Sequence, residues 1–404
     1  MTTRKLYQYR ILFADDQPEV ARTLAGLFRT TEIKVDFAVD GQEALVMCQR
    51  TRYDLVIVDL QMPPERWGGL WFIRKLSERM YRVPVLVLSG AAGQAETIEA
   101  LHLKAKGFVV KDRAQYELRE KVTAMLAEGR SEVRTLAMQT LPTPIAVQCS
   151  RMDSADSPVQ RLYLTLSALE YALRVTCIIA VAEARMDGGA DAQKFLYDVS
   201  PYIIAPAMGT SNAARRMAAS MLPGSMGAGL ASQFDDRLTN EAIAIRNEIA
   251  HVQMPSEVAA REYLVVVDAA LDTYLAAAVL MPRPEIAVVN GLSFDGTGYS
   301  VSATLLRGDH TALPQRTLKA RSAVISQRAY LWHETPIDLW PYLIVETRRE
   351  LGSLEICIFD GMSSSGGQGA WHDADPLRYI KVREGQRIKS SQVSAKDTGL
   401  IPHA

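Results

Sequence analysis

The run Leu55–Val58 (LVIV) constrains the chain more than any other feature. Four consecutive apolar side chains leave no face for water, so a strand built from them is covered on both sides. Such strands are typical of parallel sheets with helices above and below. The flanking sequence supplies both. Arg10–Ala14, Lys34–Val39, Val85–Leu88 and Gly107–Val110 read as strands. Helices are expected over Glu19–Arg29, with Val20, Leu24, Leu27 and Phe28 on one face, over Gln42–Arg50 after Asp40-Gly41, over Leu70–Arg79, around Ala95–Leu103, and from Gln115 onward. Five strands, each followed by a helix, imply a doubly wound parallel α/β sheet over residues 1–127.

At 404 residues the chain is too long for one ordinary domain. Residues 128–158 contain Leu141-Pro142-Thr143-Pro144 and a polar stretch, and read as a linker or signalling helix. Residues 159–282 are Ala-, Leu- and Met-rich and read as an all-α bundle, with helices over Arg161–Arg185, Leu238–Val252 and Val258–Leu280 and one more within Pro206–Gly229. From 283 to 404 the period changes to two, which predicts a small β-rich domain with strands at Ser300–Leu306, Leu318–Ser322, Leu343–Arg348 and Leu354–Phe359. Ser363–Gly369 reads as a flexible loop, and the tail from Lys389 as frayed.

Composition bounds the function. Lys plus Arg number 45 against 46 Asp plus Glu, which disfavours a generally basic nucleic-acid-binding surface. The four cysteines are widely spaced without a CxxC pair, which excludes a cysteine-based zinc module and suits a reducing compartment. The start shows no apolar signal core, and the most apolar helix, Leu162–Ala184, carries Glu170, Arg174 and Glu183. A soluble cytoplasmic protein with no membrane span is expected.

In a doubly wound sheet, chemistry gathers beyond the carboxyl ends of the strands. Here those ends carry Asp15 and Asp16, Asp59, Ser89 and Lys111. Singly, each has a plain structural reading: a helix cap, a turn residue or a solvated charge. Jointly, three carboxylates that repel one another suit an oxygen-ligated divalent cation such as Mg2+. Asp59, following the buried strand, is the candidate nucleophile; Asp16 is the direct metal ligand, Asp15 acts directly or through water, and the Gln61 carbonyl completes the set. Lys111 and the Ser89 hydroxyl are placed to hold phosphoryl oxygens.

The motifs FADD (13–16), YDLVIVDLQMP (53–63), VLVLSG (85–90) and GFVVKD (107–112) resemble the receiver domain of two-component response regulators, over residues 8–127. The resemblance implies a flavodoxin-like fold, magnesium-dependent phosphorylation of Asp59 by a sensor histidine kinase, and Ser89 with Phe108 as a switch pair. It also implies that phosphorylation alters the face over Ala95–Leu126 and thereby a partner or a second subunit. Asp112 departs from the family by replacing a proline, and the stretch Pro64–Gly68 is one residue longer than usual.

For the output half, no helix-turn-helix with a basic recognition helix is evident, so DNA binding is not expected. Arg246, Asn247 and His251 recur at helical spacing within Ile245–His251 and resemble the HEPN superfamily, a helical bundle with Arg-polar-x-x-x-His. That resemblance implies a site shared across a dimer, with His as acid–base group and Arg as charge stabiliser on RNA. Two outputs stand at this point: a protein-interaction or homodimerisation module, which is preferred, and an RNA-cleaving enzyme. Trp332-His333-Glu334 and Trp371-His372 read as core or corner residues.

Overall fold

The computed structural model describes residues 9–28, 33–51, 53–64, 67–78, 83–90, 99–100, 102–103, 105–204, 207–251, 254–281, 284–347, 354–362 and 374–400. The chain divides into two compact units, Met1–Glu132 and Val133–Ala404.

The first unit is a five-stranded parallel sheet. Its strands are β1 (Tyr9–Ala14), β2 (Ile33–Ala38), β3 (Leu55–Asp59), β4 (Val85–Ser89) and β5 (Gly107–Val110), in the order β2-β1-β3-β4-β5. The order reverses at β1, so crossovers cover both faces. Side-chain alternation sorts the core accordingly. Leu12, Val56, Val58 and Val87 face helices α2 (Gly41–Arg50) and α3 (Gly68–Glu78), with Ala44, Leu45, Phe72 and Ile73 opposite them. Ile11, Phe13, Leu55, Ile57 and Leu86 face α1 (Pro18–Ala25) and the start of α4 (Ala114–Thr140), with Ala21, Leu118 and Val122 opposite. All four side chains of Leu55–Val58 are 0% exposed, each stabilising the unit by about 1.5–3 kcal/mol.

Local signals fix the helix starts. Pro18 occupies the first turn of α1, where its missing N–H is no loss. Asp40 caps α2 by accepting from the Glu43 amide at 2.7 Å, and Glu43 accepts from the Val39 amide at 2.9 Å. The helix expected near Ala95–Leu103 lies mainly outside the described residues; Glu99 and Ala100 are helical.

The second unit begins within α4, whose residues from Val133 onward belong to it. The stretch expected as a linker or signalling helix is helical. α4 continues to Thr140, and α5 (Thr143–Asp153) follows with Ile145, Ala146, Val147, Cys149 and Met152 buried. α4 stops before the two prolines, which then open α5, Pro142 at the cap and Pro144 in the first turn. The remaining helices are α6 (Pro158–Asp187), α7 (Ala190–Ile204), α8 (Met208–Met221), α9 (Met226–Ala231), α10 (Asp236–His251) and α11 (Glu257–Ala278). α6 is long and apolar enough to cross a bilayer, with mean hydropathy 1.6, and 83% of that apolar window is buried in the fold. Its neighbours include α5, α7, α8, α9, α11 and the short strand Ile337–Asp338.

The β-rich part falls in the same compact unit as the helices and forms two antiparallel sheets. One holds β6 (Ile286–Phe294), β7 (Tyr299–Leu305), β8 (Gln315–Ala320), β9 (Ala329–Leu331) and β10 (Ile337–Asp338), ordered β10-β9-β6-β7-β8. The other holds β11 (Leu343–Thr347), β12 (Leu354–Met362), β13 (Pro376–Lys381) and β14 (Arg387–Ser394) in sequence order. Buried polar contacts join helices to sheets. Arg174 on α6 donates to Glu170, to Asp360 at 2.8 Å and to the Phe359 carbonyl at 3.1 Å. Gln148 on α5 donates to the Val382 carbonyl at 3.0 Å. The tail from Lys389, expected to fray, is strand β14 followed by a short 3-10 turn at Ala395–Thr398. Ser363–Gly369 and Trp371-His372 lie outside the described residues.

Candidate functional site

β1 and β3 run side by side, so their carboxyl ends deliver Asp15 and Asp59 to one place although 44 residues separate them in the chain. Asp15 and Asp59 are buried, at 1% and 4% exposure, and Asp16 is exposed. One carboxylate oxygen from each of the three lies within 4.8 Å of the others. Asp15 is held by backbone: its amide donates to the Ala38 carbonyl at 3.0 Å, and its Oδ1 accepts from the Gln17 amide at 2.9 Å.

Lys111 enters from the end of β5. Its Nζ donates to Asp15 Oδ2 at 2.8 Å and to Asp59 Oδ2 at 2.9 Å. One ammonium thus bridges two buried carboxylates. Burial pushes the Asp59 carboxyl above its usual range, the Asp15 charge adds to this, and Lys111 opposes it. Burial works against the Lys111 ammonium, but its hydrogen bonds to Asp15 and Asp59 outweigh that and raise its pKa.

The other expected members are distributed as follows. The Gln61 amide donates to Asp59 Oδ1 at 3.3 Å, which places the turn after β3 against the acidic cluster. Ser89 ends β4, in register with Val110, the residue before Lys111; its side chain lies outside the described residues. Phe108 is half-buried and packs against the core cluster under α2 and α3. Its carbonyl accepts from Lys121 Nζ at 3.0 Å.

Two contributors escaped the sequence reading. A Cβ on Gly69 would meet the Asp59 carbonyl oxygen at 1.9 Å, and one on Gly68 would meet the Met62 and Pro63 oxygens at 2.2 Å. The Gly68 amide donates to the Met62 carbonyl at 2.7 Å, so the loop after Asp59 folds back onto the first turn of α3. Only residues without a side chain permit that approach. The dipeptide Gly-Gly ahead of an apolar helical run was the available signal.

The second candidate constellation is described only in part. Arg246 and Asn247 lie on α10, with Asn247 exposed and accepting from Arg246 Nη1 at 3.3 Å. His251 is the last residue of α10, and its side chain lies outside the described residues. Trp332 packs on the β6–β9 core, as a core aromatic does.

A family profile described as "Response regulator receiver domain" matches residues 11–123. Transcriptional regulatory protein PrrA of Mycobacterium leprae is 29% identical over 164 residues, 40% of this chain and 70% of that protein. Response regulator MprA of Mycobacterium leprae is 33% identical over 123 residues, 30% of this chain and 53% of that protein. A gliding motility regulatory protein of Myxococcus xanthus is 32% identical over 111 residues, 27% of this chain and 14% of that protein. The solved receiver domain of the Francisella response regulator 1452 is 26% identical, with a TM-score of 0.28, over 30% of this chain and 98% of its own. Most of residues 133–404 therefore lies beyond these matches. Residues 11–123 are thus a response regulator receiver domain.

Proposed function

We propose that Asp59 accepts a phosphoryl group from the phosphohistidine of a sensor histidine kinase, and that the chain is a cytoplasmic phosphorelay regulator. The observation that carries this reading is the Lys111 bridge between Asp15 and Asp59 beside exposed Asp16. An Asp59 oxygen forms a bond to phosphorus as the P–N bond breaks, and the electron pair leaves on the imidazole nitrogen, which takes a proton. Lys111 then exchanges its contact with Asp59 for one with a phosphoryl oxygen while keeping Asp15.

The donor set fits magnesium. Among the described residues, three carboxylates converge without His or Cys ligands, which matches a hard divalent cation. Asp15, Asp16, Asp59 and the Gln61 carbonyl would hold it. When bound, magnesium neutralises charge on the phosphoryl oxygens. Exposed Asp16 marks the side from which a donor enters.

The Ser89 hydroxyl and the half-buried Phe108 ring form the switch pair in this reading. The state passes along α4. Arg134, on the part of α4 within the second unit, is buried and bidentate to Asp272 of α11, at 2.8 and 3.0 Å. A shift of α4 is thereby felt by the helical bundle. The output is protein contact, including contact with a second copy, rather than DNA binding. Tyr116, 77% exposed on α4, offers an apolar side chain to such a partner.

The test is beryllofluoride with magnesium, read by fluorescence of Trp67 and Trp71 and by light scattering. A fluorescence change absent from Asp59→Asn, with a shift in oligomeric state, is expected. An equal response in Asp59→Asn refutes the phosphoacceptor; unchanged scattering refutes self-association.

A further inference from the structure

A groove of about 410 Å3 opens in the second unit. Its lining has an unusual pattern. It includes Leu343, Ile344, Val345 and Glu346, four consecutive residues of β11, and Ile388, Lys389 and Ser390, three consecutive residues of β14. A cavity above a sheet face touches every second residue of a strand, because side chains alternate. Consecutive residues line a cavity that runs along a strand's edge.

β11 and β14 are the two ends of the four-stranded sheet. Both outer edges therefore border one groove, a seam whose β11 side is already used at Leu343, where the amide donates to the Leu339 carbonyl at 3.0 Å. Among the described residues no strand pairs with either edge there. Four strand residues span roughly 13 Å. That length matches a segment of about four extended residues.

One end of the groove is rigid. Gln327 holds a left-handed conformation, φ 64°, fixed by its amide donating to the Val289 carbonyl at 2.8 Å. Arg328 donates to Asp338 at 2.7 Å and stacks on Trp340, 4.3 Å from the ring centroid. The charges differ between the edges. Lys389 on β14 and Glu346 on β11 line the groove, and neither has an ion-pair partner among the described residues.

We propose that this seam binds an extended peptide segment of a partner protein, which adds as a strand between β11 and β14. The segment carries an acidic residue beside Lys389 and a basic one beside Glu346. Backbone pairing supplies the affinity and the two charges set the register. A helical ligand is disfavoured, because its backbone groups are already paired internally.

The experiment selects a random-peptide display library on the full chain, with counter-selection on Ser326→Trp. Ser326 is an exposed groove residue whose enlargement blocks the mouth. The enriched peptides are then synthesised. The proposal expects proline-poor sequences of alternating β-branched residues, slower hydrogen exchange at 343–346 and 388–390 on binding, and about tenfold weaker binding to Lys389→Glu. Lys389→Glu also serves if Ser326→Trp fails to fold. The proposal is overturned if no peptide distinguishes the chain from the blocked variant, or if the bound peptides protect other segments or are helical.

Discussion

Replacing Lys111 by methionine removes the ammonium that bridges two buried carboxylates. At 2.8 and 2.9 Å, and with an effective dielectric of about 20, each contact has a gross attraction of about 6 kcal/mol. Desolvation offsets most of it. Deleting one member of a buried ion pair typically costs 3–5 kcal/mol, and the 19% exposure of Lys111 favours the lower end, about 3 kcal/mol. Amide exchange in β1 and β3 should then speed up about a hundredfold, and the transition of the first unit should fall by roughly 10 °C. Magnesium separates this loss from simple loss of packing. At about a hundred times its Kd it contributes ~2.7 kcal/mol, which nearly restores the variant. The assay is hydrogen exchange and calorimetry of the full chain, with EDTA or with magnesium. Unchanged exchange, or a loss that magnesium leaves untouched, would refute the assignment of Asp15, Asp16 and Asp59 as a cation pocket balanced by Lys111.

Gly69→Ala should destabilise the first unit by about 3 kcal/mol, because its Cβ has no room against the Asp59 carbonyl, and should slow labelling of Asp59; a wild-type melting curve would contradict this. Burial opposes the charged form of Asp36, but the hydrogen bond and charge of Arg10, with Lys34, hold its carboxyl below the usual 3.8. A lowered carboxylate stabilises the fold above the unfolded value, and that contribution is lost as pH falls through the folded value. Acid melting below about pH 4 should therefore weaken less in Asp36→Asn than in wild type. Burial pushes the thiols of Cys48, Cys149, Cys177 and Cys357 up to about 12, so the native chain should resist a thiol reagent at pH 8 that labels all four on denaturation.

What the sequence made legible follows from short-range physics. The LVIV run read as a doubly covered strand because helical patterns alternate with strands around it, and the strand ends located Asp15, Asp59 and Lys111. The Gly68-Gly69 approach is a tertiary contact, visible only once α3 meets the turn after β3. α5 hid because its residues are buried on all sides and show no amphipathic stripe, while Pro142 and Pro144 looked like breakers. β14 hid because RIKSSQVS is mostly polar; its strand conformation comes from pairing with β13. α7 carries Pro201 within it, which weakens any local helical signal. The helices and sheets of the second unit interlock through Arg174, Asp360 and Gln148, a long-range network that the change of periodicity near residue 283 could not reveal.

The account rests on Asp59 as the group that takes the phosphoryl. The direct measurement is to incubate the full chain with a small phosphodonor and magnesium, trap the acyl phosphate by reduction, and map the modified residue by mass spectrometry. The account predicts modification of Asp59 alone, within the peptide carrying YDLVIVDLQMP, and loss of labelling when magnesium is chelated. Label on another residue, or undiminished label in Asp59→Asn, would contradict it.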